Sequence, residues 1–372
     1  MSISNATDST KIYQKDPVAR LLIDRVGLTP LRFAFVVLVW EILSNVIPSI
    51  KFGVLTEGKD GVQPFLSLIN ILFAFVVTPI ACAFYLWISK APSELFRRLR
   101  SSQVFEAKHD ELSAWIENQI REIYHHWIWM VATLYVLACA VYIAWNGQMY
   151  RQMWIYVNPV YFVFKASEMV LGWYTVCMVV AHELATIQIL RNLFKRYSVK
   201  LYPLHPDRCG GLLPINEYAM NFTYFIAVAG IGLSLIAFAG VQDHHFWQDS
   251  LLQFAIGAYV FLGVFCFFAP LDAAHDAMKE TKGRWLMEIS NQFQRAYEST
   301  QKILRVSSNR LRGQIDRINQ LQQIYELTDE FPVWPFDIKT LRRFGATIVA
   351  SLSPLLASLL GELVKLVLKI NF

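Results

Sequence analysis

Two stretches of this chain, Tyr218–Val241 and Leu251–Leu271, contain no aspartate, glutamate, lysine or arginine. A backbone in hydrocarbon must satisfy its own hydrogen bonds, so an apolar run of about 20 residues crosses a bilayer as a helix. Five further runs are mostly apolar over a similar or greater length, some with a few charged residues: Leu31–Ile50, Phe65–Ile88, Trp127–Trp145, Val160–Leu190 and Leu341–Leu368. The reading is therefore an all-α membrane protein with seven transmembrane helices. The fourth run exceeds what a bilayer needs and is expected to tilt or to project into water.

Composition agrees. Apolar residues make up 55% of the 372 residues and charged residues 17%, below the roughly one quarter usual in soluble domains. The five cysteines are scattered with no CxxC pair, so neither a disulfide framework nor a thiolate zinc site is indicated. The polar N-terminus, MSISNATDSTKIYQKD, lacks the apolar core and cleavage site of a signal peptide.

The net charge of +5 is a matter of topology before it is a matter of partners. Lys11, Lys15, Arg20 and Arg25, then Arg97, Arg98 and Arg100, then Arg191, Lys195, Arg196 and Lys200, then the segment Lys279 to Arg343 fall on one side of the predicted spans. The other side receives few. Positive residues mark the cytoplasmic face, so the N-terminus is expected inside and the C-terminus outside a plasma (inner) membrane. The bilayer is the expected partner, and nucleic acid is not one.

Four regions follow. Residues 1–30 form a cytoplasmic N-terminal segment. Residues 31–271 form a six-helix membrane region with a cytoplasmic helical loop at 91–126. Residues 272–337 form a cytoplasmic helical, anchor-like domain, and 338–372 the last transmembrane helix. In the anchor region Leu304, Leu311, Ile318 and Tyr325 recur every seven residues, with Ile315 and Leu321 between them. That stripe suits either a hairpin packed on itself or a bundle joining subunits. FPVWPFD, Phe331 to Asp337, stops the helix, since proline lacks the donor a helix needs.

The last helix carries Thr347, Ser351, Pro354, Ser358 and Glu362 at steps of three and four, which is one polar stripe. Such a stripe permits close helix packing, lines a pore when several copies surround an axis, or belongs in part to an interfacial tail. Ion selectivity is open, because Glu362 attracts cations while Lys365 and Lys369 repel them.

This layout resembles the seven-transmembrane ion channels that include the insect odorant and gustatory receptors and their microbial relatives. The likeness lies in topology and helix lengths. The Thr-Tyr…Gln-Phe signature of the insect receptors is absent from IVASLSPLLASLLGEL. The resemblance implies a tetramer joined through cytoplasmic helices, last helices around the pore, and a small-molecule pocket opening outward among the earlier spans.

Ionisable groups inside spans are functional candidates. Glu41 lies in the first. Lys165 and Glu168, three apart in the fourth, form either a packing ion pair or the edge of a ligand pocket. At the inner ends of helices four to six gather His182, Glu183, His205, Asp207, Asp272, His275 and Asp276. His182, His205 and His275 are candidate metal ligands, though HELAT lacks the second histidine of HExxH and caps or backbone bonds are the plainer use. No cofactor is expected. The stretch LHPDRCGGLLP (Leu204 to Pro214) joins helices four and five. His205, Asp207, Arg208, Asp272 and His275 are the candidates for a linker that transmits gating. The functional expectation is a homo-oligomeric ion channel. The alternatives are a membrane-embedded metal-dependent enzyme and a secondary transporter.

Overall fold

The computed structural model describes residues 16–53, 71–123, 159–201, 209–242, 250–303 and 308–370, with the isolated positions 55, 56, 66, 135, 205 and 207. Among the described residues the chain is helical with no strand. Its one bridge of β type pairs Phe105 with Val199. The expected third span, Trp127–Trp145, lies outside the described residues.

The helices are α1 (Pro17–Arg20), α2 (Pro30–Glu41), α3 (Ile47–Phe52), α4 (Thr78–Ile88), α5 (Ala91–Ser101), α6 (residues 109–123), α7 (Pro159–Arg196), α8 (Leu213–Gln242), α9 (Ser250–Ile303), α10 (Ser308–Asp329), α11 (Ile338–Ser351) and α12 (Ser353–Ile370). Proline sets several of their boundaries. Asp16 and Thr29 cap α1 and α2 just before Pro17 and Pro30, where the missing N–H is no loss. Inside a span the same residue removes a bond to the carbonyl four back. Pro48 and Pro79 each follow a π-helical turn, Ile42–Val46 and Phe73–Val77, which absorbs the break without ending the helix.

Four helical stretches are long and apolar enough to cross a membrane: Pro30–Lys51, Val170–Arg196, Leu213–Leu235 and Ile256–Gln301. Two bent pairs raise the number to six. Ala74–Ile88 with Ala91–Ser101 bends by 42°, and Ile338–Ser351 with Ser353–Gly361 by 57°. The chain is thus a helical membrane protein with four to six candidate spans among the described residues, against the seven expected.

The packing centres on α8, which touches α4, α5, α9, α11 and α12. Tyr85, Leu86 and Phe96 from α4 and α5, Met178 and Val179 from α7, Phe222 from α8 and Phe267 from α9 are almost fully buried in one continuous core. Aromatic stacking ties its ends, with ring centroids 4.3 Å apart for both Phe84–Phe225 and Phe267–Phe344. Large side chains left outside, such as Leu31, Phe35, Phe254 and Phe261, are placed to meet lipid.

Beyond Pro270, α9 continues without a break to Ile303 and folds back as α10. The hairpin is antiparallel. Lys282 Nζ lies 3.3 Å from Asp329 Oδ1 at its base, and Ser299 Oγ donates to Gln314 Oε1 at 3.4 Å nearer its tip. Leu321 is buried and Ile318 half-buried, while Ile315 and Tyr325 are exposed. The described members of the seven-residue stripe share one face of α10 and differ in how far they are covered. The Leu304 position and the Leu311 side chain lie outside the described residues.

Candidate functional site

The last helix is not straight. Asp337 caps α11, accepting from Thr340 N at 2.8 Å, and this bond holds its carboxyl below the usual carboxylate range. The chain then breaks at Leu352 and restarts as α12. Pro354 has no N–H to give to Ala350, and the freed carbonyl accepts from Ser353 Oγ at 2.7 Å instead. The uninterrupted polar stripe expected from the sequence is therefore divided by a 57° bend.

Ser351 also departs from that stripe. It is buried, donates to Ile348 O at 2.6 Å and accepts from the Tyr259 hydroxyl at 2.6 Å. Tyr259 reaches it across α8 only because residue 230 is glycine. A Cβ there would lie 2.2 Å from the Tyr259 oxygen. Phe344, Ser351 and Leu355 form the buried edge of α11 and α12, with Leu355 against Ala237 and Val241. Thr347, Pro354 and Ser358 are half-buried on the neighbouring flank. Leu356, Leu360, Leu363 and Val364 are exposed beyond it. The side chains of Glu362, Lys165 and Glu168 lie outside the described residues.

A second set of polar groups lies in the core. Asp16 is fully buried. Its carboxylate accepts from Val18 N (2.9 Å), Ala19 N (3.2 Å), the Tyr174 hydroxyl (2.8 Å) and the Tyr85 hydroxyl, and His182 Nε2 stands 4.0 Å away. The N-terminal segment is thereby fastened between α4 and α7. The sequence reading missed Asp16. Its signal was present as Asp-Pro at a helix start, but nothing local announces burial. Glu183 accepts from the Tyr218 hydroxyl at 2.7 Å, and Glu41 from Asn45 Nδ2 at 2.7 Å.

The linker between α7 and α8 is built on Asp207. One oxygen accepts from Cys209 N at 2.9 Å, the other from Gly211 N at 2.9 Å and Leu213 N at 3.3 Å, and His205 Nδ1 lies 2.6 Å from Oδ1. Partial burial works against the charged form. The backbone bonds to Cys209 and Gly211 and the His205 contact outweigh it, so the Asp207 carboxyl sits below its ordinary range. Burial pushes the neighbouring Cys209 thiol up to about 12. Gly211 has φ +97°, and a Cβ on it would meet Val104 Cγ2 at 2.4 Å. The linker is thus seated against the loop after α5. Arg208 lies outside the described residues.

The expected interfacial histidines and carboxylates do not converge. Asp272 pairs with Arg191 at 3.5 Å. His275 stacks on Trp334, ring centroids 3.9 Å apart, with Nδ1 2.8 Å from Val333 O. His205 stays with Asp207, and His182 with Asp16. Among the described residues no three histidine, cysteine, aspartate or glutamate side chains come together as a metal site. The candidate ligands His182, His205 and His275 are separated because each is held by its own local partner. What the group builds instead is a joint: α7, the linker, α9 and the Phe331–Asp337 segment lock together where the apolar spans meet the hairpin.

No protein-family model, curated protein or solved structure matches this chain. The class defined by the fold itself is a polytopic α-helical membrane protein.

Proposed function

We propose that the chain is a homo-oligomeric ion channel of the plasma (inner) membrane, assembled as a tetramer from seven-span subunits with the N-terminus inside. The observation that carries this reading is the α9–α10 hairpin. It continues well past the apolar part of α9 as a pair of helices, and Met287, Tyr297, Ile324 and Leu327 stay exposed on it. A two-helix hairpin has no second layer to cover such residues. Copies of the same hairpin around a closed axis supply one.

In this reading the flank of α11 and α12 that bears Thr347, Pro354 and Ser358 faces the axis, with Glu362 near the outer mouth. Its small polar groups suit a wetted wall. Ser351 takes no part in it, being bonded to Tyr259. The joint at Asp207, Asp272 and His275 connects the hairpin to the spans and is the path by which a stimulus or a small ligand moves the last helix. The experiment is single-channel recording from purified, reconstituted protein alongside its mass in detergent. Unitary currents from a particle of about four 42.8 kDa subunits are expected for a closed ring. A silent monomer overturns the reading.

A further inference from the structure

Two cavities meet on the flank of α7. The first, ≈ 470 Å³, is an apolar groove along the span, walled by Ala181, Leu184, Ile187 and, from α9, Phe265. The second, ≈ 610 Å³, is a charged cleft at the polar end of the same two helices. Arg191 and Lys195 line both. Ala181 to Arg191 is about 15 Å along a helix, so with α7 crossing a bilayer as a candidate span the groove would face hydrocarbon and the cleft its edge.

The cleft has walls of opposite sign. On α7 stand Arg191, Lys195 and Arg196. On α9, Asp272, Asp276 and Glu280 follow at steps of four, ending in Arg284. One pair bridges the two walls, Arg191 and Asp272 at 3.5 Å. Among the described residues Lys195, Asp276 and Glu280 make no ion pair within 4.0 Å. Opposite charges on facing helices thus stand apart across a space instead of neutralising one another. Such a cleft complements a headgroup that is itself dipolar.

We propose that groove and cleft together bind one aminophospholipid of the phosphatidylethanolamine kind. Its phosphodiester lies toward Lys195 and Arg196, its primary ammonium donates to Asp276 and Glu280, and an acyl chain lies along Leu184, Ile187 and Phe265. A purely anionic headgroup would face the acidic wall, and a trimethylated one has no N–H to give it. The proposal rests on these helices crossing a membrane, not on the channel reading.

The test is lipid retention by the full chain, followed by native mass spectrometry after exposure to matched phosphatidylethanolamine, phosphatidylcholine and phosphatidylglycerol. The ethanolamine lipid is expected to be kept about fivefold better than the other two, the scale of one interfacial charge contact. The pair Asp276→Asn, Glu280→Gln is expected to abolish that preference while the ethanolamine and choline lipids are retained alike. Lys195→Met is expected to weaken all three lipids through the phosphate, and Leu184→Trp to weaken them by filling the groove. Each variant is compared only where its elution and thermal midpoint in lipid-free detergent match the parent, and Lys195→Gln replaces Lys195→Met if it fails that control. Equal retention of the three lipids by the parent protein overturns the proposal, as does a preference that survives the acidic pair. Cross-linking of a cysteine at position 184 to the chain's own 127–145 segment, with no lipid retained, overturns it as well.

Discussion

At the residue scale, Asp16 shows how a single carboxylate organises a helical core. Two tyrosine hydroxyls and two backbone amides point at it, and it has no exposed surface. Asp16→Ala leaves those hydroxyls without an acceptor and is expected to destabilise the protein by about 2–4 kcal/mol. Tyr174→Phe removes one bond and is expected to cost about 1 kcal/mol. Thermal unfolding in detergent distinguishes the two, and equal small losses would refute the network. Asp207 makes a pH prediction. Its folded-state pKa lies below the ordinary 3.8, so it contributes stability above that value and loses it as pH falls through the folded pKa. Asp207→Asn is expected to flatten the acid end of the stability profile, below about pH 4, relative to the parent. Gly211→Ala combines a left-handed φ with a clash on Val104 and is expected to destabilise by more than about 1 kcal/mol. Adding Val104→Ala relieves the clash but not the φ, so rescue is expected to be partial.

At the element scale, helix existence was legible and helix neighbours were not. Apolar runs with the right length identify spans, and four of the expected seven appear as continuous helical stretches and two as bent pairs. Pro354 was visible as a residue of the polar row, yet its stronger effect is on the backbone, where it divides the row. Periodicity places Ser351 beside Thr347 and Ser358 without saying which side faces Tyr259. That depends on Gly230, one helix away. The difference is measurable. With cysteine at position 351 or 358, a charged, water-soluble thiol reagent is expected to leave the first unmodified and to label the second, with a change in current if the flank lines a pore. Labelling of both at equal rates would mean that the Tyr259 contact does not hold Ser351 inside.

At the scale of the whole molecule, the hairpin is where the proposed assembly is open to test. Leu327 is 69% exposed and touches little of its own subunit, so Leu327→Glu is expected to leave the folded subunit intact while shifting the oligomer toward smaller species. Mass photometry over a dilution series checks this, and an unchanged distribution would remove the hairpin from the interface. The joint between spans and hairpin was partly legible. His205, Asp207, Asp272 and His275 were picked out by residue type; Asp207 organises the linker after α7, and Asp272 pairs with Arg191 of that helix. Their division into separate pairs was not readable, because it depends on partners distant in sequence, such as Trp334 and Arg191.

The continuity of α9 through Pro270 has a mechanical meaning. Pro270 to Ile303 is about 50 Å of helix, joined to the span by the same backbone. It is a lever whose short arm is the apolar part of α9, where Phe267 stacks on Phe344 of the last helix. A tilt of about 6° at the proline would carry the far tip about 5 Å, while the ring pair near the fulcrum moves a few tenths of an ångström. Small displacements of the last helix would thus be read out as large ones at the tip. Conversely, a modest force at the tip would act on the membrane end multiplied by the ratio of the arms.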